Sequence, residues 1–149
     1  MSTDSVSILN ELIQITKDSE EGFHTSAENV NDPSLKKVFL EKAERCSKTI
    51  SDLQRKVQEL GGKPTDSGSL LGAMHRGWVN IKGSLTRQDD LSILRECERG
   101  EDVIKAAYSK ALKSNPSEEI RPLIQKHYDG VIEDHDTIRD LRDRYASAQ

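Results

Sequence analysis

The unequal lengths of the connections constrain the fold of this chain more than any other feature. Two pairs of long helical segments are each joined by a tight turn, whereas nearly thirty residues, from Gly61 to Gln88, separate the two pairs. A helix of about 25 residues is roughly 37 Å long, and a connection of this length can climb that height and start the third helix beside the start of the second. The spacing therefore predicts an all-α four-helix bundle wired up-down-down-up.

Helical periodicity gives the bounds of these segments. The first helix is predicted over residues 4–30 and the third over residues 89–113, while the fourth follows the turn at 114–117 and ends near Tyr145. Within the long connection, apolar residues at helical spacing predict a short extra helix over residues 69–85. Its Trp78 either anchors this helix on the bundle or marks a dimer contact. The chain should thus contain four long helices and one short one.

The second helix has the clearest apolar stripe in the chain. Asp32 is its predicted N-cap, and Pro33 suits the first turn because the missing N–H would have no partner there. The pair Gly61–Gly62 is expected to end the helix. One buried face is predicted from apolar residues at spacings of three and four, namely Leu35, Phe39, Ala43, Cys46, Ile50, Leu53, Val57 and Leu60.

Composition indicates one domain over residues 1–149 and excludes several classes of function. The net charge is −4, and the charges are interleaved without a basic stripe, so we expect no nucleic-acid partner. No apolar run reaches the roughly 18 residues that a membrane span needs. The start Met-Ser-Thr-Asp-Ser lacks the pattern of a signal peptide, so a cytoplasmic protein is expected. No phosphate-binding glycine loop and no Ser-His-Asp arrangement stand out, and no catalytic residue is predicted.

Polar residues on the inward faces of the predicted helices gather near the middle of the bundle. Bundles that bind two metal ions place one Glu on each of two helices and a Glu-x-x-His pair on each of the other two, at one height. When the second and third helices run parallel, the candidates at that height are Glu20, Cys46, Cys97, Glu101, His127, Asp134 and His135. The cluster makes this level of the bundle the place to look for a site.

The expected metal-ligand pattern is only partly present at this level. On the second helix, Ala43 and Cys46 stand where the Glu-x-x-His pair would lie, and Glu44 points away from the apolar stripe. On the fourth helix Glu133 also points outward, and the chain contains no Glu-x-x-His string. The same polar residues could instead form a hydrogen-bonded layer, because buried charges must be paired.

The two cysteines leave two interpretations open. Cys46 and Cys97 both lie on inward stripes at similar height. A buried free cysteine acts as a small hydrophobic residue, whereas a redox-linked pair requires Cα atoms within about 7 Å of each other. The second interpretation also requires that the second and third helices be neighbours.

Several strings resemble those of a bacterial ferritin-like four-helix-bundle family that carries a domain-of-unknown-function label. They are Glu21-Gly22-Phe23, Gly61-Gly62-Lys63-Pro64 with Gly68-Ser69, His75-Arg76-Gly77-Trp78, Glu98-Arg99-Gly100-Glu101-Asp102, and the run from His135 to Asp143. The resemblance spans nearly the whole chain and implies a ferritin-like bundle. By analogy with metal-binding relatives it also implies that Glu21, Glu101 and His135 are the positions to examine, with Glu20 competing with Glu21 for one role.

Two hypotheses for function follow. The first is a non-catalytic bundle with a degenerate metal site that acts in stress-related packing or protein association, as a homodimer. The second is an oxidoreductase or iron-handling protein that binds two iron or other divalent metal ions, with Glu20, Glu21, Glu101 and His135 as candidate ligands. The missing Glu-x-x-His pairs favour the first hypothesis. In either case the homodimer is the expected assembly.

Overall fold

Four long helices make up the part of the chain that the computed structural model describes, residues 2–65 and 89–148. They are α1 (Ser2–Asn29), α2 (Pro33–Glu59), α3 (Asp90–Lys113) and α4 (Arg121–Ser147). The four predicted long helices are confirmed, with similar bounds. The predicted short helix over residues 69–85, including Trp78, lies outside the described residues. Within the described ranges, no helix is both long and apolar enough to cross a membrane.

The helix ends follow from local chemistry. Asp32 caps α2 by accepting a hydrogen bond from the Ser34 N–H, as the sequence predicts, and Pro33 occupies the first turn. At the other end of α2, Gly61 adopts a φ of 83°, a conformation that favours glycine. The next residue, Gly62, is needed for a different reason, because a Cβ there would lie 2.7 Å from the Val6 side chain.

Two contacts, one at each end of the bundle, establish the direction in which each helix runs. The Asp90 carboxylate, at the start of α3, accepts hydrogen bonds from the backbone N–H groups of Asn31 (2.8 Å) and Asp32 (3.0 Å) in the α1–α2 turn. At the opposite end of the bundle, the hydroxyls of Ser5 on α1 and Ser117 in the α3–α4 turn are 3.2 Å apart. Helices α2 and α3 therefore start at the same end and run parallel, which confirms the up-down-down-up wiring.

A layer of polar residues divides the apolar core into two clusters. The cluster at the N-terminal end of α1 contains Leu9, Leu12, Ile13, Ile15, Ile50, Leu53, Val57, Ile104, Tyr108, Ala111, Ile120, Ile124 and Val131. The cluster at the other end contains Phe23, Ala27, Leu35, Phe39, Ala43, Cys46, Ile93, Leu94, Cys97 and Ile138. On α3 the two clusters are separated at Gly100 and Glu101, and on α4 they are separated at Asp134. This level, which we call the polar layer, holds the candidate site.

Candidate functional site

Glu101 is the most unusual residue of the polar layer because one of its carboxyl oxygens is buried with no hydrogen-bond partner among the described residues. The residue is 2% exposed, and within residues 2–65 and 89–148 its Oε1 atom has no hydrogen-bond partner. Burial raises the pKa of Glu101 well above its ordinary value, and the nearby Asp134 carboxylate raises it further. Burial therefore favours the neutral, protonated form of the Glu101 carboxyl group.

Asp134, on α4, carries the charge of the layer and is neutralised by two cations from α2. The Lys42 Nζ atom lies 2.6 Å from Asp134 Oδ1, and an Arg45 guanidinium nitrogen lies 3.1 Å from the same oxygen. Burial raises the pKa of Asp134, while the hydrogen bond and charge of Lys42 act in the opposite direction. Because the Lys42 and Asp134 side chains are only 12% and 7% exposed, this ion pair is largely removed from water.

A small cavity of about 20 Å³ lies against these groups. Its polar lining includes Glu101, Asp134, Thr16, Thr49, Tyr108 and His127, together with the Cys46 thiol. The Tyr108 hydroxyl is completely buried and lies 2.8 Å from the Thr16 hydroxyl. The cavity is thus lined by residues from all four helices, and it has room for a water molecule or single ion but not for an organic substrate.

His127 connects this cavity to the surface of the bundle. Its Nδ1 atom lies 3.3 Å from the Thr49 hydroxyl, which lines the cavity. Its Nε2 atom lies 3.2 Å from a carboxylate oxygen of Asp52, which is partly exposed. Burial lowers the pKa of His127 in spite of the Asp52 carboxylate. The imidazole is therefore neutral at neutral pH and can both donate and accept a hydrogen bond.

Both cysteines are buried free thiols. Cys46 lines the cavity, and burial together with the Glu101 and Asp134 carboxyl groups raises its pKa. Cys97 is completely buried, its Sγ atom lies 3.2 Å from the Ser26 hydroxyl, and burial raises its pKa too. Because the thiolate is the reactive form, neither cysteine is poised for nucleophilic chemistry.

The four residues predicted as metal ligands lie in three different places. Glu20, half-buried, and Glu21, exposed, line a surface groove between α1 and α2. The His135 Nε2 atom lies 2.6 Å from Asp102 Oδ1, on the α3–α4 side of the bundle. Glu101 is in the interior. The structure brings Glu101 together with Asp134 and Cys46 rather than with the other three.

The donor set of the polar layer does not fit the dinuclear metal centre of metal-binding four-helix bundles. In the described ranges, 2–65 and 89–148, no three His, Cys, Asp or Glu side chains converge in a way that could hold a metal ion. The ammonium of Lys42 occupies the coordination space of Asp134 instead. Metal binding by Glu20, Glu21, Glu101 and His135 stays a prediction.

Three groups that shape the layer are absent from the site residues predicted from the sequence. Lys42 and Arg45 flank the apolar stripe of α2, and only their long side chains bring the charges inward. Tyr108 continues the spacing of the inward residues of α3, at positions 97, 101, 104 and 108. That spacing is the signal that could have identified Tyr108 as a buried residue.

Comparison with known proteins places the chain in a wider context. A family model described as "Domain of unknown function (DUF2383)" matches residues 4–114. Among solved structures, the chain is similar to a two-domain protein from Anabaena variabilis ATCC 29413 that contains DJ-1/ThiJ/PfpI-like and ferritin-like domains. The TM-score is 0.80 at 16% sequence identity, and the match covers 100% of this chain but 39% of that one. At this identity the similarity shows the fold alone. No curated protein matches the sequence.

Proposed function

The chain belongs to the DUF2383 family and has a ferritin-like fold, and we propose that it acts by protein association and not by metal chemistry. The observation that carries this proposal is the contact of 2.6 Å between the Lys42 ammonium and the Asp134 carboxylate inside the polar layer. In metal-binding bundles the cation that balances the inward carboxylates is the metal itself. In this chain side chains of α2 supply that positive charge.

The positive charge beside the Asp134 carboxylate comes from side chains of the protein. Asp134 is paired with Lys42 and Arg45, and burial raises the pKa of Glu101 and so favours its neutral form. A divalent ion beside Asp134 would have to displace the Lys42 ammonium and drive the proton from Glu101. Both steps oppose binding of the ion. The divalent ion and the Lys42 ammonium carry like charges, which repel strongly where water is excluded.

For the associated protein, we propose a second copy of this chain, docked on the face formed by α1 and α3. A groove of about 140 Å³ on this face is lined by Ile8, Leu12, Ile15, Ala107 and Ala111. Glu11 on α1 and Lys110 on α3 also line it, one on each helix. Around a two-fold axis the same patch meets itself, so Glu11 of each copy would face Lys110 of the other. This charge complementarity favours a homodimer over an unrelated partner.

Aerobic loading with ferrous iron, followed by desalting and elemental analysis, tests the metal part of the proposal. We expect the wild-type protein to retain no stoichiometric iron. The alternative function, an iron-handling or oxidoreductase bundle, requires about two irons per chain. In that case Glu101→Ala and His135→Ala should each abolish iron retention while the helical circular dichroism is unchanged. Two irons per wild-type chain, lost in both variants, would refute the proposal.

Light scattering coupled to size exclusion tests the association part. We expect a particle of twice the chain mass of 16.7 kDa. Ala107→Glu places a charge in the α1–α3 groove and should yield a monomer, whereas the matched variant Ala106→Glu changes an exposed neighbour outside the groove and should leave the dimer intact. A wild-type monomer, or equal behaviour of the two variants, would contradict the proposed interface.

A further inference from the structure

The cavity beside Glu101 has the size and the polar lining of a site for one water molecule. Its volume is about 20 Å³, above the 10–15 Å³ or so that one water requires and too small for two. Glu101 lines this space, and its buried Oε1 atom has no hydrogen-bond partner in the described ranges. We propose that one water bound here links Glu101 to Thr49 and His127 and completes a path for protons between Glu101 and solvent.

The lining provides the partners that a buried water needs. Such a water typically makes two to four hydrogen bonds to polar groups. Glu101 supplies one, the Thr49 hydroxyl a second, and the Thr16 hydroxyl, which also contacts the Tyr108 hydroxyl, a third. These groups come from α3, α2 and α1, so the water would also join three helices at the level where the apolar core is interrupted.

The outer half of the path consists of one hydrogen bond and one ion-pair distance; in the described ranges His127 Nε2 makes no hydrogen bond, so a small rotation of the Asp52 carboxylate completes this last link. The Thr49 hydroxyl lies 3.3 Å from His127 Nδ1, and His127 Nε2 lies 3.2 Å from Asp52 Oδ2. The Asp52 side chain is 27% exposed and also lies 3.7 Å from the Lys126 ammonium. Glu101 is 2% exposed, so the path leads from a fully buried acid to the surface between α2 and α4.

Proton release along this path is a sequence of exchanges in which every intermediate group gives one proton and receives one. The Glu101 carboxyl group gives its proton to the water, and the water gives one to the Thr49 hydroxyl. The hydroxyl gives one to His127 Nδ1, and His127 Nε2 gives one to Asp52 and then to solvent. The net change is one proton released and one carboxylate left at Glu101, and uptake is the reverse.

The groups around Glu101 determine whether release of its proton leaves an ionised carboxylate. Carboxyl groups oppose ionisation of Glu101, and the cations of α2 favour it. The groups that face this region are Glu20 on α1, Lys42, Arg45 and Cys46 on α2, Asp102 on α3, and His127 and Asp134 on α4. The path operates whether or not the chain dimerises.

Infrared spectroscopy of the protein transferred into D₂O tests the path directly. The C=O stretch of the Glu101 carboxylic acid is identified as the band that Glu101→Gln removes. In the wild-type protein we expect this band to shift to its deuterated position as soon as the solvent is exchanged. In Thr49→Val, which keeps the side-chain shape, exchange should slow about tenfold or more because it must wait for local opening of the bundle.

Two further variants keep the test decisive. Thr137→Val changes a hydroxyl on α4 that bonds only to the Glu133 carbonyl among the contacts of the described residues, and it should exchange as fast as the wild type. His127→Leu interrupts the path at its next step, so exchange of the Glu101 proton should be slow in this variant. It takes the place of Thr49→Val if that variant does not fold. Equal rates in all variants, or a wild-type protein without a Glu101 carboxylic acid band, would overturn the proposal.

Discussion

Replacement of Glu101 by Gln should make the protein more stable at neutral pH, although it removes a charged residue type from the core. Glu101 is 2% exposed and lacks a hydrogen bond in the described part of the chain, and its pKa in the folded state is raised well above the ordinary value of 4.5. Gln has the same shape and is neutral at every pH. The variant therefore removes the titration and leaves the packing unchanged.

The sign and the size of the effect follow from proton linkage. Above pH 4.5 the unfolded chain loses the Glu101 proton while the folded chain keeps it, so the folded state binds more protons and stability falls as pH rises. The slope is about 1.4 kcal/mol per pH unit, and it continues until the pH passes the pKa of the folded state. This contribution to stability is complete below pH 4.5 and is lost toward alkaline pH.

Urea unfolding, followed by circular dichroism between pH 4.5 and pH 9, measures this effect. Asp134 also has a raised pKa and adds its own slope, so the informative quantity is the difference between variant and wild type. That difference should grow with pH for Glu101→Gln and stay constant for Glu119→Gln, an exposed control. A constant difference for Glu101→Gln, or a variant less stable at every pH, would refute the reasoning and indicate an ionised, well-bonded Glu101.

The remaining predictions concern packing and the interior ion pair. Gly62→Ala should destabilise the bundle by about 1–3 kcal/mol, because the new Cβ would lie 2.7 Å from the Val6 side chain. Gly130→Ala, where the nearest atom to a Cβ is at 3.7 Å, should instead stabilise α4 by about 0.5–1 kcal/mol. Lys42→Met should cost about 3 kcal/mol, because Asp134 would lose the closer of its two cations in a buried setting. Urea unfolding at pH 7 checks all three, and a neutral Lys42→Met would contradict the role given to this ion pair.

The fold was predictable because it depends on signals that are local in the sequence. Asp32, Pro33 and the Gly61–Gly62 pair determine the ends of α2 through backbone chemistry that does not depend on the rest of the molecule. The long connection then leaves little choice of topology. The contact of Asp90 with the α1–α2 turn, which establishes that topology in the structure, joins residues far apart in the sequence. No local pattern reveals it.

The candidate site was predictable only in part. A helical rise of 1.5 Å per residue is regular enough to place Glu101, Asp134 and Cys46 at one height. The direction of a Cβ atom, however, does not say where a long side chain ends, and so Lys42 and Arg45 were missed. The same reasoning groups His135 with the layer, whereas in the structure it lies beside Asp102, because a small rotation of a helix moves an edge residue from one interface to another.

The central claim is that side chains, and not a metal, balance the charge of the polar layer, and ligand-linked stability tests it most directly. Urea unfolding of the wild-type protein is compared in excess Mn²⁺ and in EDTA. We expect the wild-type protein to have equal free energies of unfolding in the two solutions. Binding to the folded state would raise stability by about 2.7 kcal/mol at a metal concentration 100 times the dissociation constant. Stabilisation of that size, abolished by Glu101→Gln, would contradict the account.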